Sequence, residues 1–181
     1  MSIEKSDNEI MKEFEGCSID AYKIIFDRYK NRLYNYLIRA FAFDRDSAQD
    51  IVQKTLIRVY EYKFKYKPTY QFSTWVYTIT RNLYLNEIKR KKHERLEDEE
   101  NSDNIILAEN DPAEELVIKE DHNKLTACID KLDPKYREVI VMRFKEELTY
   151  EEIALILKKN TNTLKSLCKR GLENLGELLE L

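Results

Sequence analysis

The chain has 181 residues, enough for one large or two small domains, and 43% of them are hydrophobic, which is enough for buried cores. Only three glycines and three prolines interrupt it, so we expect an all-α fold of long helices with few tight turns. Two histidines and three scattered glycines supply neither a metal-ligand pattern nor a phosphate-binding loop. We therefore expect no catalytic residues, metal, cofactor or small-molecule substrate.

The formal net charge of −3 hides a strong segregation of charge along the chain. Residues 94–115 hold ten carboxylates and one basic residue, Arg95, and therefore carry −9. The remainder of the chain then carries +6. Separation of this kind is more informative than the total. It predicts two small helical domains, at residues 1–93 and 121–181, joined by an acidic linker at residues 94–120.

Targeting and redox signals are lacking. The N-terminal residues contain no apolar core of signal-peptide length, and no run of about 18 apolar residues follows. Cys17, Cys128 and Cys168 are odd in number and far apart, as expected for reduced thiols. We expect a cytoplasmic protein without direct membrane insertion.

Three helices are predicted in the first domain after its N-terminal segment. Apolar residues recur at helical spacing from Tyr22 to Leu37, and a second stripe runs from Ala48 to Val59 after a polar break. A third helix is expected to start near Ser73, a good N-cap residue, and to end in the basic run 89–92, where cations suit the helix dipole.

The last domain contains the signals of a helix-turn-helix. Asp133 and Pro134 form an N-cap followed by a first-turn proline, and Thr149 opens a capping box with Glu152. A break at residues 158–160 precedes a final helix, whose predicted inward residues are Leu164, Leu167, Leu172 and Leu175. Spacing alone leaves a helix-turn-helix and an ordinary helical hairpin equally open.

Aromatic residues and lysines alternate between residues 60 and 77, for example Tyr60, Tyr62, Lys63, Phe64 and Lys65. Aromatic faces stack on unpaired bases while lysines follow a phosphate backbone, so the segment suits single-strand binding. The structural alternative is that these rings fill a core beneath a loop. We expect a core position for Phe72 and leave both roles open for Trp75.

The motifs resemble those of extracytoplasmic-function (ECF) sigma factors of bacterial RNA polymerase. Residues 50–56, DIVQKTL, and 72–82, FSTWVYTITRN, are similar to D-L-V-Q-E-T-F and F-x-x-W-L-Y-x-I-A-x-N of the family's second domain. Residues 132–139, LDPKYREV, 148–154, LTYEEIA, and 162–166, NTLKS, resemble L-P-x-x-x-R-E-V, L-S-Y-x-E-I-A and G-T-V-K-S of its fourth domain.

The resemblance implies a promoter-reading subunit and not an enzyme. Core RNA polymerase would be contacted at its β′ clamp by Gln49, Asp50 and Gln53, and at its β flap. The minus-ten element would be opened and read by Tyr66, Tyr70, Trp75, Arg81, Asn82, Asn86 and Lys89. Asn82 would help to hold a flipped base. The minus-thirty-five element would be read in the major groove by Asn162, Lys165, Ser166, Lys169 and Arg170.

Two further features follow from the resemblance. The acidic linker would thread the RNA-exit path of the polymerase. A dedicated anti-sigma factor, often anchored in the inner membrane, would hold the nucleoid-associated protein inactive.

The sequence also departs from the family pattern. Lys54 replaces the usual Glu, and Glu147, Lys158 and Asn162 stand where Gly is common. Leu167 replaces a frequent Arg, so promoter preference does not transfer. The alternative hypothesis is a stand-alone helix-turn-helix DNA-binding regulator, which would need neither the polar face of Gln49 nor the aromatic loop.

Overall fold

The computed structural model describes residues 5–98 and 119–180. These residues form helices and connecting turns, and the described part of the chain contains no strand. The all-α fold predicted from the sequence is thus confirmed. The α-helices, in chain order, are α1 (Asp7–Glu15), α2 (Ile19–Phe41), α3 (Arg45–Glu61), α4 (Phe72–Asp98), α5 (Lys119–Lys131), α6 (Pro134–Ile140), α7 (Tyr150–Leu157) and α8 (Thr161–Glu180). Most of the predicted acidic linker, at residues 99–118, lies outside the described residues.

Helices α1 to α4 form the N-terminal domain around the predicted apolar stripes. The α2 residues from Ile25 to Leu37 that were expected to face inward are buried or packed against the core, as is the whole α3 stripe from Ala48 to Val59. A capping box at Ser6 starts α1. Asp7 then ties α1 to α2, because its carboxylate accepts hydrogen bonds from Arg28 at 2.7 Å and from the Tyr29 hydroxyl.

Helix α4 differs from its prediction at both ends. It begins at Phe72, so Ser73 lies in its first turn and does not cap it. It continues to Asp98, so the basic run 89–92 lies inside the helix and not at its C-terminus. Side-chain pairs replace the expected dipole contact, since Arg90 bonds Glu87 and Glu94 across successive turns at 2.5 Å.

Helices α5 to α8 form the C-terminal domain, and its helix starts are as predicted. The Asp133 side chain caps α6, and Thr149 and Glu152 form a reciprocal capping box at α7. A single π-helical turn, Val141–Lys145, extends α6. The prediction that Leu172 faces inward is wrong, since its side chain is 43% exposed. The buried stripe of α8 passes instead through Leu164, Cys168, Gly171 and Leu175.

Gly171 lets α8 approach α6 closely. A β-carbon at this position would lie 2.7 Å from Ile140 Cδ1 and 3.1 Å from Tyr136 Cβ. The first distance is shorter than packed carbon atoms show, and the second is tighter than most contacts of a β-carbon. Gly176, one and a half turns later on the same helix, would have no neighbour within 4 Å of an added β-carbon.

The two domains pack against each other. Helix α2 contacts α6, and α4 contacts α7, so the C-terminal domain rests on the side of the N-terminal domain that carries the start of α4. Arg32, Arg81 and two tyrosines of the N-terminal domain bond Glu138 and Glu146 across this boundary.

We predict opposite effects for one substitution at the two α8 glycines. Gly171→Ala requires Ile140 and Tyr136 of α6 to shift and should lower the free energy of unfolding by about 1–3 kcal/mol. Gly176→Ala adds no clash and removes glycine's conformational cost, so it should raise that free energy by about 0.5–1 kcal/mol. Urea denaturation monitored by circular dichroism measures both, and equal shifts would contradict the proposed helix contact.

Candidate nucleic-acid interface

The outward face of α3 is polar and open to solvent. Gln49, Asp50 and Gln53 are all exposed, and Asp50 forms an ion pair with Lys54 at 2.5 Å. Exposed pairs of this kind contribute little to stability, so the face is free for other contacts. The structure thus brings together on one surface the three residues predicted to contact core polymerase.

The start of α3 is anchored to α4 by a polar cluster. Asp44 caps α3 through the Ser47 backbone nitrogen at 2.8 Å, and Lys91 donates to Ser47 Oγ at 2.8 Å and lies 3.3 Å from Asp44. Partial burial acts to raise the pKa of Asp44, but the Ser47 hydrogen bonds and the Lys91 charge outweigh it and hold the pKa below its ordinary value. The contacts of Asp44 and Ser47 with Lys91 therefore fix the start of α3 relative to α4.

Tyr66 is built into the core of the aromatic loop. It is buried, and its hydroxyl lies 2.6 Å from Asn8 Oδ1 and 2.7 Å from the Tyr70 carbonyl oxygen. Burial, with the charge of Asp7, raises its pKa to about 12, so the phenol stays a neutral donor. Its ring contacts that of Trp75, and the Tyr70 side chain is exposed.

One loop lysine points inward and is unavailable to a phosphate backbone. Lys63 is 7% exposed, and its ammonium lies 4.4–5.1 Å from the ring centres of Phe14, Tyr60 and Phe64. A cation over aromatic faces is attracted by their quadrupoles, which offsets part of its desolvation. Lys65 and Lys67 stay exposed. The loop therefore offers two lysines and not three.

A cleft of about 320 Å³ lies beside this loop. Trp75, half-buried, and the exposed Tyr70 supply aromatic surface, and Leu155 of the C-terminal domain also lines the cleft. Phe72, by contrast, is completely buried, as the sequence predicted. The aromatic cleft is thus shared between the two domains.

The polar row of α4 divides into two parts. Asn82, Asn86 and Lys89 are exposed and recur at helical spacing, which places them on one face. Arg81 is different, because its Nε lies 2.7 Å from Glu138 Oε1. In this arrangement the guanidinium of Arg81 is therefore occupied by the C-terminal domain.

All five residues predicted to read the minus-thirty-five element lie on the exposed side of α8. The Asn160 side chain caps the helix by accepting from the Thr163 backbone nitrogen at 2.7 Å. Asn162, Ser166 and Arg170 line one shallow depression, while Lys169 lies 3.8 Å from Glu173. Lys165 stands 5.9 Å from the ring centre of Tyr150 on α7. The face is polar and carries three cations.

Comparison with known proteins assigns both domains. Residues 25–94 match the Sigma-70 region 2 family model, and residues 122–175 match that of Sigma-70, region 4. The ECF RNA polymerase sigma factor SigW of Bacillus subtilis is 32% identical over 177 residues, covering 93% of this chain and 94% of SigW. The chain belongs to the ECF sigma factors.

Further relatives agree with this assignment. The ECF sigma factor SigE of Mycolicibacterium smegmatis is 31% identical over 84% of this chain and 59% of its own length. Among solved structures, the sigma factor RpoE in complex with the anti-sigma factor NepR from Bartonella quintana has a TM-score of 0.72 at 21% identity, covering 90% of this chain and 99% of that one. CnrH in complex with the cytosolic domain of CnrY gives 0.70 at 19% identity, over 97% and 98%.

The structure also reveals contacts between the two domains of this sigma factor that its sequence did not predict. Glu138, Glu146 and Glu152 each contact the N-terminal domain, although the first and last lie inside motifs that predicted only helix starts. Among the residues described, no group of three or more His, Cys, Asp or Glu side chains could hold a metal ion. No helix within the described ranges is both long and apolar enough to cross a membrane.

Proposed function

We propose that this sigma factor binds core RNA polymerase and directs it to promoters, with the α3 face docking on the β′ clamp and the C-terminal domain contacting the β flap. The observation that carries the proposal is the presence of three separate exposed polar faces, on α3, α4 and α8, in a chain of the ECF family. A stand-alone duplex-binding regulator would need only the face on α8.

The DNA-binding residues divide between the two domains. Tyr70, Trp75 and Arg81, together with the exposed row of Asn82, Asn86 and Lys89, form the proposed minus-ten site, and the buried Tyr66 supports it from the wall of the aromatic cleft. The major groove of the minus-thirty-five element would receive Asn162, Lys165, Ser166, Lys169 and Arg170. Base-specific contacts in the major groove distinguish all four base pairs, whereas a melted strand must be recognised by its unstacked bases.

An anti-sigma factor completes the proposed set of partners. Two of the structural neighbours were solved as complexes with NepR and with the cytosolic domain of CnrY. We propose the same class of partner for this chain, and a cytoplasmic, nucleoid-associated location.

In vitro transcription provides the direct test. The purified chain is added to core RNA polymerase of its host on fragments of genomic DNA, and the transcript start sites are mapped. A defined set of new start sites is expected, with the chain co-eluting with core enzyme in gel filtration. Duplex binding without co-elution would favour the stand-alone regulator.

The docking face is tested by combining Asp50→Lys with Gln53→Ala. Both residues are exposed, so the thermal midpoint should hardly change, while the affinity for core enzyme should fall about tenfold or more. Asp27→Lys with Asn31→Ala makes the same charge change on the exposed side of α2 and serves as the control. Equal core binding by the two double variants would show that the docking face is elsewhere.

The α8 face is tested by Arg170→Ala. Loss of a base contact should weaken binding to a mapped minus-thirty-five duplex by about 1–3 kcal/mol, and loss of a phosphate contact should lower the salt slope by about one unit. Lys131→Ala removes an equal charge from the end of α5 and should change neither quantity. An unchanged affinity and salt slope for Arg170→Ala would remove this residue from the site.

Promoter opening is tested by Asn82→Ala. An exposed amide offers both a donor and an acceptor to a flipped base, so its removal should reduce open-complex formation and relax preference at one minus-ten base. On a pre-melted template the opening defect should shrink, while the lost preference should remain. Wild-type base preference on single-stranded minus-ten DNA would contradict this role.

A further inference from the structure

Three carboxylates of the C-terminal domain contact one surface of the N-terminal domain. Glu138 Oε1 accepts from Arg81 Nε at 2.7 Å and from the Tyr36 hydroxyl at 3.2 Å. Glu146 Oε2 accepts from the Tyr77 hydroxyl and lies 3.4 Å from Arg32 Nε. Their side chains are almost fully buried. The hydrogen bonds from these donors therefore replace the hydrogen bonds to water that each carboxylate loses on burial.

Glu152 makes the third contact, at the first turn of α4. Its Oε1 accepts from the hydroxyls of Ser73 at 3.1 Å and Thr74 at 3.3 Å, while its Oε2 completes the capping box at Thr149. One carboxylate thus serves the start of two helices. Negative charge is favoured there, because the N-terminus of a helix carries a partial positive charge.

The donors on the N-terminal domain share a common chemistry. Two guanidinium groups, two phenols and two hydroxyls line one surface, which we call the donor surface: Arg32, Tyr36, Ser73, Thr74, Tyr77 and Arg81. Burial, together with the neighbouring carboxylates, raises the pKa of Tyr36 and Tyr77 well above the ordinary value, so both phenols remain donors. Such a set binds any oxyanion, and guanidinium groups bind carboxylate and phosphate alike.

We propose that the donor surface is a phosphate-binding surface for single-stranded DNA, and that Glu138, Glu146 and Glu152 occupy it as intramolecular substitutes for phosphate. The inference rests on the proposed function, because the surface adjoins the aromatic cleft and Arg81 belongs to the proposed minus-ten site. It adds Arg32, Tyr36, Ser73, Thr74 and Tyr77 to the DNA-binding residues. It also makes the C-terminal domain a competitor of the DNA strand.

The competition has a simple energetic form. A tethered domain is present at an effective concentration that no dilution removes. Single-stranded DNA can bind only the fraction of molecules in which the domains have separated, so its apparent affinity is divided by that fraction. Removing the negative charge from the substitutes should therefore raise the affinity for DNA, although no residue that touches DNA has changed.

The test uses the full chain and a fluorescent twelve-residue oligothymidylate, which reports phosphate binding without needing a promoter sequence. Glu138→Gln combined with Glu146→Gln preserves side-chain volume and leaves an amide oxygen to accept from each tyrosine. If closed molecules exceed open ones about tenfold, this variant should bind the oligonucleotide about tenfold more tightly. Small-angle X-ray scattering should show a larger radius of gyration.

Glu151→Gln with Glu177→Gln is the matched control. It makes the same change in net charge in the same domain, at two exposed carboxylates of α7 and α8, and should leave both the affinity and the radius unchanged. Glu152→Gln is a second variant that retains its capping box, because Gln is accepted at that position. It should tighten binding about two- to fivefold, because the variant loses the favourable interaction of one negative charge with a helix N-terminus.

The outcomes separate this inference from the proposed function. Equal oligothymidylate affinity for wild type, the Glu138/Glu146 variant and the control overturns the phosphate-substitute role, and so does an absence of binding by every variant at low salt. Co-elution with core enzyme would leave the proposed function standing in either case. Tighter binding by the interface variants in a chain that does not bind core enzyme would support the donor surface and reject the sigma role.

Discussion

Two buried carboxylates hold the closed arrangement of this molecule in register. Glu138 and Glu146 lie between two packed domains, and each side chain contacts one arginine and one tyrosine of the N-terminal domain. Ion pairs of this type contribute little net stability compared with apolar packing. They nevertheless favour one relative position of the domains, because a displaced domain would leave a buried charge without its partner.

The consequence of this register is an uneven exposure of the proposed binding faces. The outward sides of α3 and α8 are exposed, and the main contacts between the domains are made by α2 and α4 with α5, α6 and α7. The start of α4 and Arg81 are covered. The proposed surfaces for polymerase and for duplex DNA are therefore accessible when the domains are packed together, whereas part of the proposed surface for a melted strand is covered.

Local signals in the sequence predicted most of the architecture. The apolar stripes of α2 and α3 and the caps at Asp133 and Thr149 are each determined by residues within one or two turns, so they could be found without knowing the fold. The polar residues of α3 and α4 could be noted for the same reason, whereas the residues of the α8 face were predicted from the resemblance to the family.

Features that depend on distant contacts could not be predicted. Ser73 has the chemistry of an N-cap, but the helix starts one residue earlier and its hydroxyl bonds Glu152, 79 positions away. Leu172 fits the apolar spacing of α8, but the residue buried against α6 is its neighbour Gly171. Lys63 looks like a solvent-exposed cation until the fold surrounds it with aromatic rings from α1 and α3.

The glycine contact between α6 and α8 limits how promoter specificity could be altered by design. Transplanting the whole of α8, the proposed recognition helix, from a relative would also replace Gly171 and Cys168, which are buried on its inner side, and any larger side chain at position 171 would crowd Ile140 and Tyr136. Grafting only the exposed positions 162, 165, 166, 169 and 170 avoids this restriction. The inner side of the helix would stay native, and new target sequences could be sought without rebuilding the domain.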